Sequence, residues 1–216
     1  LQFGDHLLKE YFGKIEVTQE DKNKLAQYQA KEKIEHAKRT AETFETFLTD
    51  LHIVLVKKDP KQYIERLAQL VQKTNQFNTT VMRYTMSELT KMIESAQWRL
   101  FCYEVKDKYA NHGVCVLAIV HLKPDAEIAN FIMSCRVMGR NLEYGVLQDI
   151  EYTLQKEGIK NVRALFKAGP KNAPVQMLYE NAGYQLIMQT SKEKHYLKEM
   201  DTKADGKKFY GEVCDI

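Results

Sequence analysis

The stretch Ser134-Cys135-Arg136-Val137-Met138-Gly139-Arg140-Asn141-Leu142-Glu143 decides the fold of this chain. It joins an apolar run typical of a strand, which ends near Cys135, to an amphipathic pattern typical of a helix. Gly139 and Asn141 are residue types that tolerate a left-handed backbone, so a sharp turn is expected between the two elements. A helix that begins after such a turn presents backbone N–H groups that can bind an anion. The stretch therefore predicts a strand–turn–helix unit with an anion-binding turn.

Hydrophobic patterns on both sides of this turn predict an α/β protein. The order is one strand, two helices, three strands, a helix, a strand, a helix and two final strands. Short turns separate the three consecutive strands, which favours antiparallel pairing, whereas the later strand–helix–strand step favours a parallel pair. We therefore expect a mixed, mostly antiparallel central sheet flanked by helices. The predicted strands cover 52–57, 98–105, 114–122, 127–135, 162–166, 184–188 and 195–200, and the helices begin at 59, at 85, after the turn and at 173.

The two ends of the chain differ from its centre. Thr18-x-x-Asp21 is typical of a helix start, and one long helix is predicted from there to Leu51. Its apolar seam either packs on the core of the same protein or on a missing upstream domain, or pairs two chains as a coiled coil. The tail from Asp201 is polar and is expected to fray. The seam consists of Ile34, Ala37, Ala41, Phe44, Leu48 and Leu51.

The composition excludes several classes of protein. The chain has 216 residues, of which 44% are hydrophobic and 28% charged, and its net charge of +3 does not predict nucleic-acid binding. No apolar run reaches the length of a membrane span, and no signal peptide is visible. The four cysteines lack CxxC spacing and are expected to be buried free thiols, and the six histidines are too dispersed for a metal motif. We expect a cytoplasmic protein without metal, membrane or nucleic-acid partner, and we read Leu1 as a mid-protein position.

Two motifs make this chain resemble the GNAT family of N-acetyltransferases. That family carries [Q/R]-x-x-G-x-[G/A] after its fourth strand, and this chain has Arg136-Val-Met-Gly139-Arg-Asn141, with Asn in the last position. The family's second motif is an Asn that opens a helix, which carries a Tyr and ends in Gly-aromatic. Here that motif runs from Asn172 through Tyr179 to Gly183-Tyr184. The resemblance implies a GNAT-like acyltransferase fold over residues 52–200.

A closer resemblance, to the C-terminal half of FkbH-like proteins, covers nearly the whole chain. It is carried by Lys73–Asn78, Arg83–Thr85, Phe131–Arg140 and Lys171–Pro174. In that family a HAD-type phosphatase-like domain precedes a GNAT-like domain, and the proteins handle acyl groups destined for carrier proteins. The resemblance makes residues 1–51 a helical connector and remnant of an upstream HAD-type domain, and it leaves 201–216 as a polar tail. It also implies an acyl carrier protein as a partner, while the HAD nucleophile motif D-x-D-x-T is absent from the sequence.

The GNAT resemblance implies that acetyl-CoA, another acyl-CoA or the phosphopantetheine of a carrier protein binds at the turn. The N–H groups from Met138 through Gly139 to Asn141 would hold the pyrophosphate, and Arg136 and Arg140 would add charge-assisted hydrogen bonds. The other interpretation is an ordinary strand–helix turn with solvated arginines.

The end of the fourth strand would hold the pantetheine arm. Backbone groups from Met133 to Cys135 would pair with the arm as an added strand does. Cys135 could also accept an acyl group as a nucleophile, but a cysteine buried in a strand is usually inert. Asn172 would contact the cofactor, or else would serve only as a helix N-cap.

The resemblance also implies catalytic and substrate-binding residues. Tyr179 would donate a proton to the departing thiolate, unless it is simply a core aromatic residue. Glu127, at the start of the fourth strand, would be the general base. Asn75, Gln76 and Asn78 would recognise the acceptor with uncharged amides, or would cap the two helices beside them.

These motifs predict an acyltransferase domain that passes an acyl group from its thioester directly to an acceptor. A second hypothesis is a non-catalytic GNAT-like module that docks a carrier protein or supports an upstream HAD-type domain. A third is a dimerisation unit that uses the apolar seam. Binding of acetyl-CoA separates the first two hypotheses from the third, and a transfer assay separates the first from the second.

Overall fold

The computed structural model describes residues 19–122, 125–200 and 206–215. The helices are α1 (Gln19–Thr40), α2 (Phe44–Asp50), α3 (Ile64–Lys73), α4 (Met86–Glu94), α5 (Leu142–Lys156) and α6 (Leu178–Asn181). The strands are β1 (Ile53–Lys58), β2 (Trp98–Lys106), β3 (Asn111–His121), β4 (Ala126–Met133), β5 (Asn161–Lys167), β6 (Gln185–Gln189), β7 (Glu193–Glu199) and β8 (Gly211–Cys214). Short 3₁₀ turns lie at Pro60–Tyr63, Cys135–Val137 and Ala173–Val175.

The strands form one mixed sheet in the order β6-β7-β5-β4-β3-β2-β1-β8. β2, β3 and β4 pair antiparallel in sequence, as expected of strands joined by short turns, and β1 pairs antiparallel with β2 after the two intervening helices. The pairs β4–β5 and β1–β8 are parallel. The predicted α/β class, with a mostly antiparallel sheet flanked by helices, is confirmed.

Local sequence signals explain where two helices begin. Thr85 and Glu88 form the predicted capping box at the start of α4. The Glu88 N–H donates to Thr85 Oγ1 at 3.2 Å, and the Thr85 N–H donates to the Glu88 carboxylate at 2.7 Å. Asp59 accepts from the Lys61 N–H at 3.0 Å and starts the turn that leads into α3. α4 begins where the sequence predicted it, whereas the helix predicted from residue 59 begins as a 3₁₀ turn and becomes α3 at Ile64.

The core beside the candidate site lies between α3, α4 and the centre of the sheet. Leu67 and Val71 on α3 and Leu89 on α4 are completely buried against β2, β3 and β4. Burying such a side chain contributes about 1.5–3 kcal/mol to stability. This packing fixes the end of α3 next to the end of β4. The sheet residues of this cluster are Leu100, Cys102, Val114, Leu117, Ile119 and Ile132.

The prediction of one continuous N-terminal helix is wrong. α1 ends at Thr40, and Thr43 caps a new helix by accepting from the Thr46 N–H at 3.0 Å. The seam is therefore interrupted: Leu48 is buried in the core, whereas Phe44 is 47% exposed. The chain divides after Thr40 into two compact units, and α2 belongs to the second. Thr18, the predicted helix cap, lies outside the described residues.

The prediction of a frayed tail is also wrong for its last part. β8 pairs in parallel with β1, from Ile53 beside Gly211 to Val56 beside Cys214. Phe209, just before β8, lies so close to Gly145 of α5 that a Cβ at Gly145 would collide with its ring. A glycine in the first half of this helix therefore lets the C-terminal segment pack against it.

Replacing Gly145 by alanine tests this packing. In an unobstructed helix, alanine should stabilise by about 1 kcal/mol relative to glycine. Here we expect destabilisation by about 1–3 kcal/mol, because Phe209 must move. Urea unfolding measures the change, and the same substitution in a Phe209→Ala background is the control, in which alanine should become stabilising. If alanine stabilises the chain in both backgrounds, Phe209 does not pack on Gly145.

Among the residues described, no helix combines the length and apolarity that crossing a membrane requires. The same part of the chain contains no group of three or more His, Cys, Asp or Glu side chains arranged to hold a metal ion.

Candidate functional site

β4 and β5 pair over only a short length and then diverge. Their parallel register runs from Ala126 beside Val162 to Ile128 beside Ala164. β4 then continues to Met133 along β3, and β5 continues to Lys167 along β7. The facing edges of the two strands therefore enclose a wedge, which is where the pantetheine arm was expected.

A segment of the chain's own loop fills this wedge. We call Phe77–Thr80 the inserted segment. The Thr79 N–H donates to the Phe131 carbonyl at 3.1 Å, and the Met133 N–H donates to the Phe77 carbonyl at 3.0 Å. On the other side, the Lys167 N–H donates to the Thr79 carbonyl at 2.8 Å. The segment therefore bridges β4 and β5 as a short strand would.

Side chains add to this attachment. Thr79 Oγ1 accepts from the Phe131 N–H at 2.9 Å, and the Thr80 N–H donates to Asn130 Oδ1 at 3.3 Å. The four residues of the inserted segment are at most 2% exposed. A stretch that lies between two predicted helices is therefore part of the protein interior.

Two features around the inserted segment are energetically unfavourable: backbone strain and buried polar atoms without hydrogen bonds. Val81, which follows it directly, has φ +54°, a left-handed conformation that is strained for a β-branched residue. Within the described residues, Thr80 Oγ1, Asn130 Nδ2 and Tyr179 Oη are buried without a hydrogen bond of good geometry. Buried polar groups of this kind cost about 1–3 kcal/mol each.

As a result, two predictions about the end of the fourth strand, where the pantetheine arm was expected, change. The Met133 N–H, expected to face pantetheine, already donates to Phe77. Cys135 does not lie in the strand, which ends at Met133, but in the following 3₁₀ turn, and it is exposed rather than buried. The strand prediction extended too far because the apolar pattern continues after the pairing with β3 has ended.

The predicted left-handed turn is confirmed. Gly139 has φ +77° and is exposed, and Asn141 has φ +57°. Within the described part of the chain, the N–H groups of Gly139, Asn141 and Leu142 donate to no protein acceptor. The Asn141 side chain does not cap α5 but donates to the Lys208 carbonyl at 3.3 Å. The turn retains donors for an anion, and the pyrophosphate role of Met138 to Asn141 stays a prediction.

The Arg140 side chain points into the protein instead of toward a ligand. Its Nη1 lies 2.6 Å from Asp107 Oδ2, and its Nη2 donates to the Arg136 carbonyl at 2.9 Å. His112 Nε2 lies 2.8 Å from the same carboxylate oxygen. The guanidinium is held inside the turn by a buried carboxylate, and its hydrogen bonds to a phosphate stay a prediction.

A basic cleft of about 640 Å³ opens beside the end of β4, between α3 and the 3₁₀ turn that contains Cys135. Four of its lining residues are basic, and among the described lining residues none is acidic. Arg66 is held in place because its Nε donates to the Val114 carbonyl at 3.0 Å. We call this feature the basic cleft. Its lining is Arg66, Gln69, Leu70, Lys73, Thr74, Asn75, Gln76, Ser134, Cys135, Arg136 and Lys171.

The structure separates the three amides that were predicted to bind the acceptor. Asn75 and Gln76 line the basic cleft, whereas Asn78 belongs to the inserted segment and is completely buried. Asn78 Nδ2 donates to the Met82 carbonyl at 3.2 Å, so this amide stabilises the loop. An acceptor-binding role stays a prediction for Asn75 and Gln76 alone.

Asn172 is a structural residue. Its Oδ1 accepts from the Gly169 N–H at 2.8 Å, and its Nδ2 donates to the carbonyls of Asn78 and Lys167, both at 2.9 Å. It is 1% exposed and makes no side-chain cap. Asn172 therefore occupies the N-cap position of the turn Ala173–Val175 without capping it through its side chain, and the cofactor contact stays a prediction. The predicted helix at 173–182 is likewise split into a 3₁₀ turn and the short α6.

The two predicted catalytic residues lie at the inner end of the wedge. Tyr179 is buried and packs on Tyr184 and Tyr196, with ring centroids 5.4 and 5.3 Å away. Burial raises the pKa of Tyr179 well above its ordinary value, the charge of nearby Glu127 adds to the rise, and Thr79 partly offsets it. The inserted segment therefore lies next to Tyr179, whose proposed role as an acid stays a prediction.

Sequence reasoning missed the cations of the cleft and the threonines of the wedge. Arg66, Lys73 and Lys171 come from separate parts of the chain and belong to no local motif. Thr79 and Thr80 are polar residues whose burial depends on long-range pairing with β4. The one available signal was Phe77, an aromatic residue among polar neighbours in the connection between two predicted helices.

Comparisons with known proteins address the fold. No protein-family model matches the sequence, and no curated protein matches it significantly. The structure resembles the ribosomal-protein-S18-alanine N-acetyltransferase of Escherichia coli with a TM-score of 0.53 and 12% identity, over 73% of this chain and 99% of that one.

Two further solved structures carry coenzyme A. The PaiA N-acetyltransferase of Thermoplasma acidophilum in complex with coenzyme A has a TM-score of 0.54 and 13% identity, over 68% of this chain and 98% of that one. The spermidine N-acetyltransferase of Vibrio cholerae with CoA and spermine has a TM-score of 0.51 and 14% identity, over 69% and 96% of the two chains. A similar structure from Desulfovibrio desulfuricans is described as an acetyltransferase of the GNAT family. At such low identities the similarity establishes architecture alone: this chain has the fold of the GNAT N-acetyltransferases.

Proposed function

We propose that this domain binds an acyl-CoA, or the acyl-phosphopantetheine arm of a carrier protein, and transfers the acyl group directly to an acceptor. The basic cleft is the observation that carries the proposal. It gathers Arg66, Lys73, Arg136 and Lys171 around a cavity that no acidic side chain of the described residues lines, at the end of β4 and beside the left-handed turn. Phosphate groups are the ligands that such a cluster of cations favours.

The chemistry needs no metal or redox step. The acceptor's nitrogen or oxygen attacks the thioester carbonyl, a C–N or C–O bond forms, and the C–S bond breaks. The proton lost by the acceptor passes to Glu127 or water, Tyr179 gives its proton to the thiolate, and the proton released by the acceptor returns to Tyr179. Since burial raises the pKa of Tyr179, the phenol is protonated at neutral pH before the C–S bond breaks.

The positive charge of the basic cleft also suggests which proteins this domain would bind. An acidic carrier protein that presents a phosphopantetheine arm would match the charge of the basic cleft, because opposite surface charges favour association. The FkbH-like resemblance motivates a further proposal, that an upstream HAD-type domain prepares the acyl group that this domain receives. Chromatographic co-elution with an acyl carrier protein, lost at high salt, is the expected result.

A second candidate function is a module that binds the carrier or cofactor without turnover. The specific observation in its favour is the inserted segment, which fills the wedge and covers Tyr179. Release of free thiol from acetyl-CoA in the presence of amine acceptors distinguishes the two candidates. Binding without thiol release would favour the module.

Neutralising the cleft should weaken phosphate binding. We expect Lys73→Gln and Lys171→Gln together to reduce affinity for adenosine 3′,5′-bisphosphate, the phosphate-bearing end of CoA, about tenfold. The wild-type affinity should also fall as salt is raised. Calorimetric titration measures both effects, and Lys192→Gln, an exposed lysine outside the cleft, is the matched control. Equal affinities for all three proteins would place the ligand elsewhere.

A further inference from the structure

We infer that Phe77–Thr80 is an internal occupant of the thioester site, and that this segment must withdraw from the wedge before an acyl thioester can reach Tyr179 and Glu127. The inference rests on the proposed function and adds a closed state to it. It makes the arrangement described above an autoinhibited form of the domain.

The hydrogen-bonding groups at the edges of the wedge are already satisfied by the inserted segment. An extended amide-containing arm between β4 and β5 would use the exposed edge groups of the two strands, as an added strand does. Those groups are the Phe131 carbonyl, the Met133 N–H and the Lys167 N–H, and the inserted segment satisfies all three. The segment therefore makes the contacts that the arm would need.

The wedge has no room for a second chain while the inserted segment occupies it. Phe77, Asn78, Thr79 and Thr80 are buried to within 2%, and Phe77 packs edge-on against Phe131 with ring centroids 5.1 Å apart. Interiors packed to this degree do not accommodate a second chain of similar width. Occupation by the segment and occupation by a thioester arm are thus mutually exclusive.

The inserted segment runs from the outer end of β4 towards the predicted catalytic residues. Phe77 bonds to Met133 at the outer end of β4, and Thr79 bonds to Phe131 farther in. Thr79 also lies near Tyr179, whose hydroxyl faces it without good hydrogen-bond geometry. The segment thus runs inward from the cleft end of β4, and its inner part separates the predicted catalytic residues from the opening.

The residues on either side of the inserted segment favour its withdrawal from the wedge. Val81 holds a strained left-handed conformation directly after the segment, and unpartnered polar atoms surround its inner end. Thr74, Asn75 and Gln76, directly before the segment, line the basic cleft. A ligand that binds in the cleft therefore contacts the residues adjoining the segment, and withdrawal would relieve strain. These features make the closed state one that the thioester arm can open once the phosphate groups of the same ligand are anchored in the cleft.

A reversible disulfide between the segment and β4 tests the inference. Asn78 and Ile132 form an isolated antiparallel bridge, and the flanking bonds Thr79 to Phe131 and Met133 to Phe77 make it a non-hydrogen-bonded pair. Such pairs bring their Cα atoms to about 4.5 Å, within the range that a disulfide spans. The double variant Asn78→Cys/Ile132→Cys, oxidised, would lock the segment in place. The same protein after reduction is the matched control, and peptide mass mapping excludes pairing with Cys135.

Calorimetry with two probes gives outcomes that distinguish the inference from the proposed function. We expect acetyl-CoA to bind about tenfold or more weakly to the oxidised form than to the reduced form, while adenosine 3′,5′-bisphosphate binds equally to both. Equal acetyl-CoA affinities in the two forms would overturn the inference and leave the proposed function standing. If neither probe binds either form or the wild type, the proposed function fails and the inference with it.

Hydrogen exchange in the wild-type protein provides an independent measurement should the double variant not fold. Saturating acetyl-CoA should accelerate amide exchange in peptides covering residues 77–80, and adenosine 3′,5′-bisphosphate should have a smaller effect. Slower exchange of these peptides with acetyl-CoA would show that the segment stays in place, contrary to the inference.

Discussion

Replacement of Asn172 by alanine is expected to lower the free energy of unfolding by about 3–4 kcal/mol. The side chain joins three backbone groups: the Gly169 N–H, the Asn78 carbonyl and the Lys167 carbonyl. Alanine would leave these groups without their partner in a site that is 1% exposed, where water cannot easily replace it. Urea unfolding followed by circular dichroism measures the loss.

The control for this prediction is Asn161→Ala. Asn161 is exposed at the start of β5, so its replacement should change stability by no more than about 0.5 kcal/mol. The motif resemblance assigned Asn172 to the cofactor instead. If Asn172→Ala kept its stability but lost affinity for CoA, that assignment would be right and the structural explanation wrong.

The role of Asn172 could not be predicted from the sequence, whereas several local features could. The positive φ angles of Gly139 and Asn141 and the capping box of Thr85 and Glu88 follow from residues within three positions of each other. Such features depend on local backbone sterics and on short-range hydrogen bonds, which a sequence pattern specifies directly. The antiparallel pairing of β2, β3 and β4 could also be predicted, because short turns bring neighbouring strands together.

The inserted segment and β8 could not be predicted in the same way. Phe77–Thr80 is held by β4 and β5, some fifty and ninety residues away along the chain, as the bonds of Thr79 to Phe131 and Lys167 show. Gly211–Cys214 is too short for a visible alternation and forms a strand because β1 offers it an open parallel edge. Polar threonines in a loop favour solvent until such partners satisfy them. Only the three-dimensional arrangement identifies them as interior residues.

The buried ion pair behind the turn should contribute strongly to stability. The Asp107 side chain is completely buried and faces both the Arg140 side chain, which is 7% exposed, and His112. We expect Asp107→Asn to destabilise the protein by about 3–5 kcal/mol, because it removes the negative charge that balances a buried guanidinium. Asp125→Asn is the matched control, since the Asp125–Arg163 pair has side chains 54% and 49% exposed. That change should cost less than about 1 kcal/mol, and similar losses for both variants would contradict the prediction.

The pH dependence of this effect has a definite sign. Burial by itself would raise the pKa of Asp107, but the hydrogen bonds from His112 and the Tyr109 N–H and the charges of His112 and Arg140 outweigh it, so the pKa is lowered. Because the folded pKa lies below the unfolded one, the stabilisation is present above the ordinary carboxyl pKa of about 4 and is lost as the pH falls through the lowered value. The stability gap between wild type and Asp107→Asn should therefore persist at about pH 5 and narrow below about pH 4. Urea titrations between these conditions measure it, and a gap that widened on acidification would show that the carboxylate is not stabilised by its neighbours.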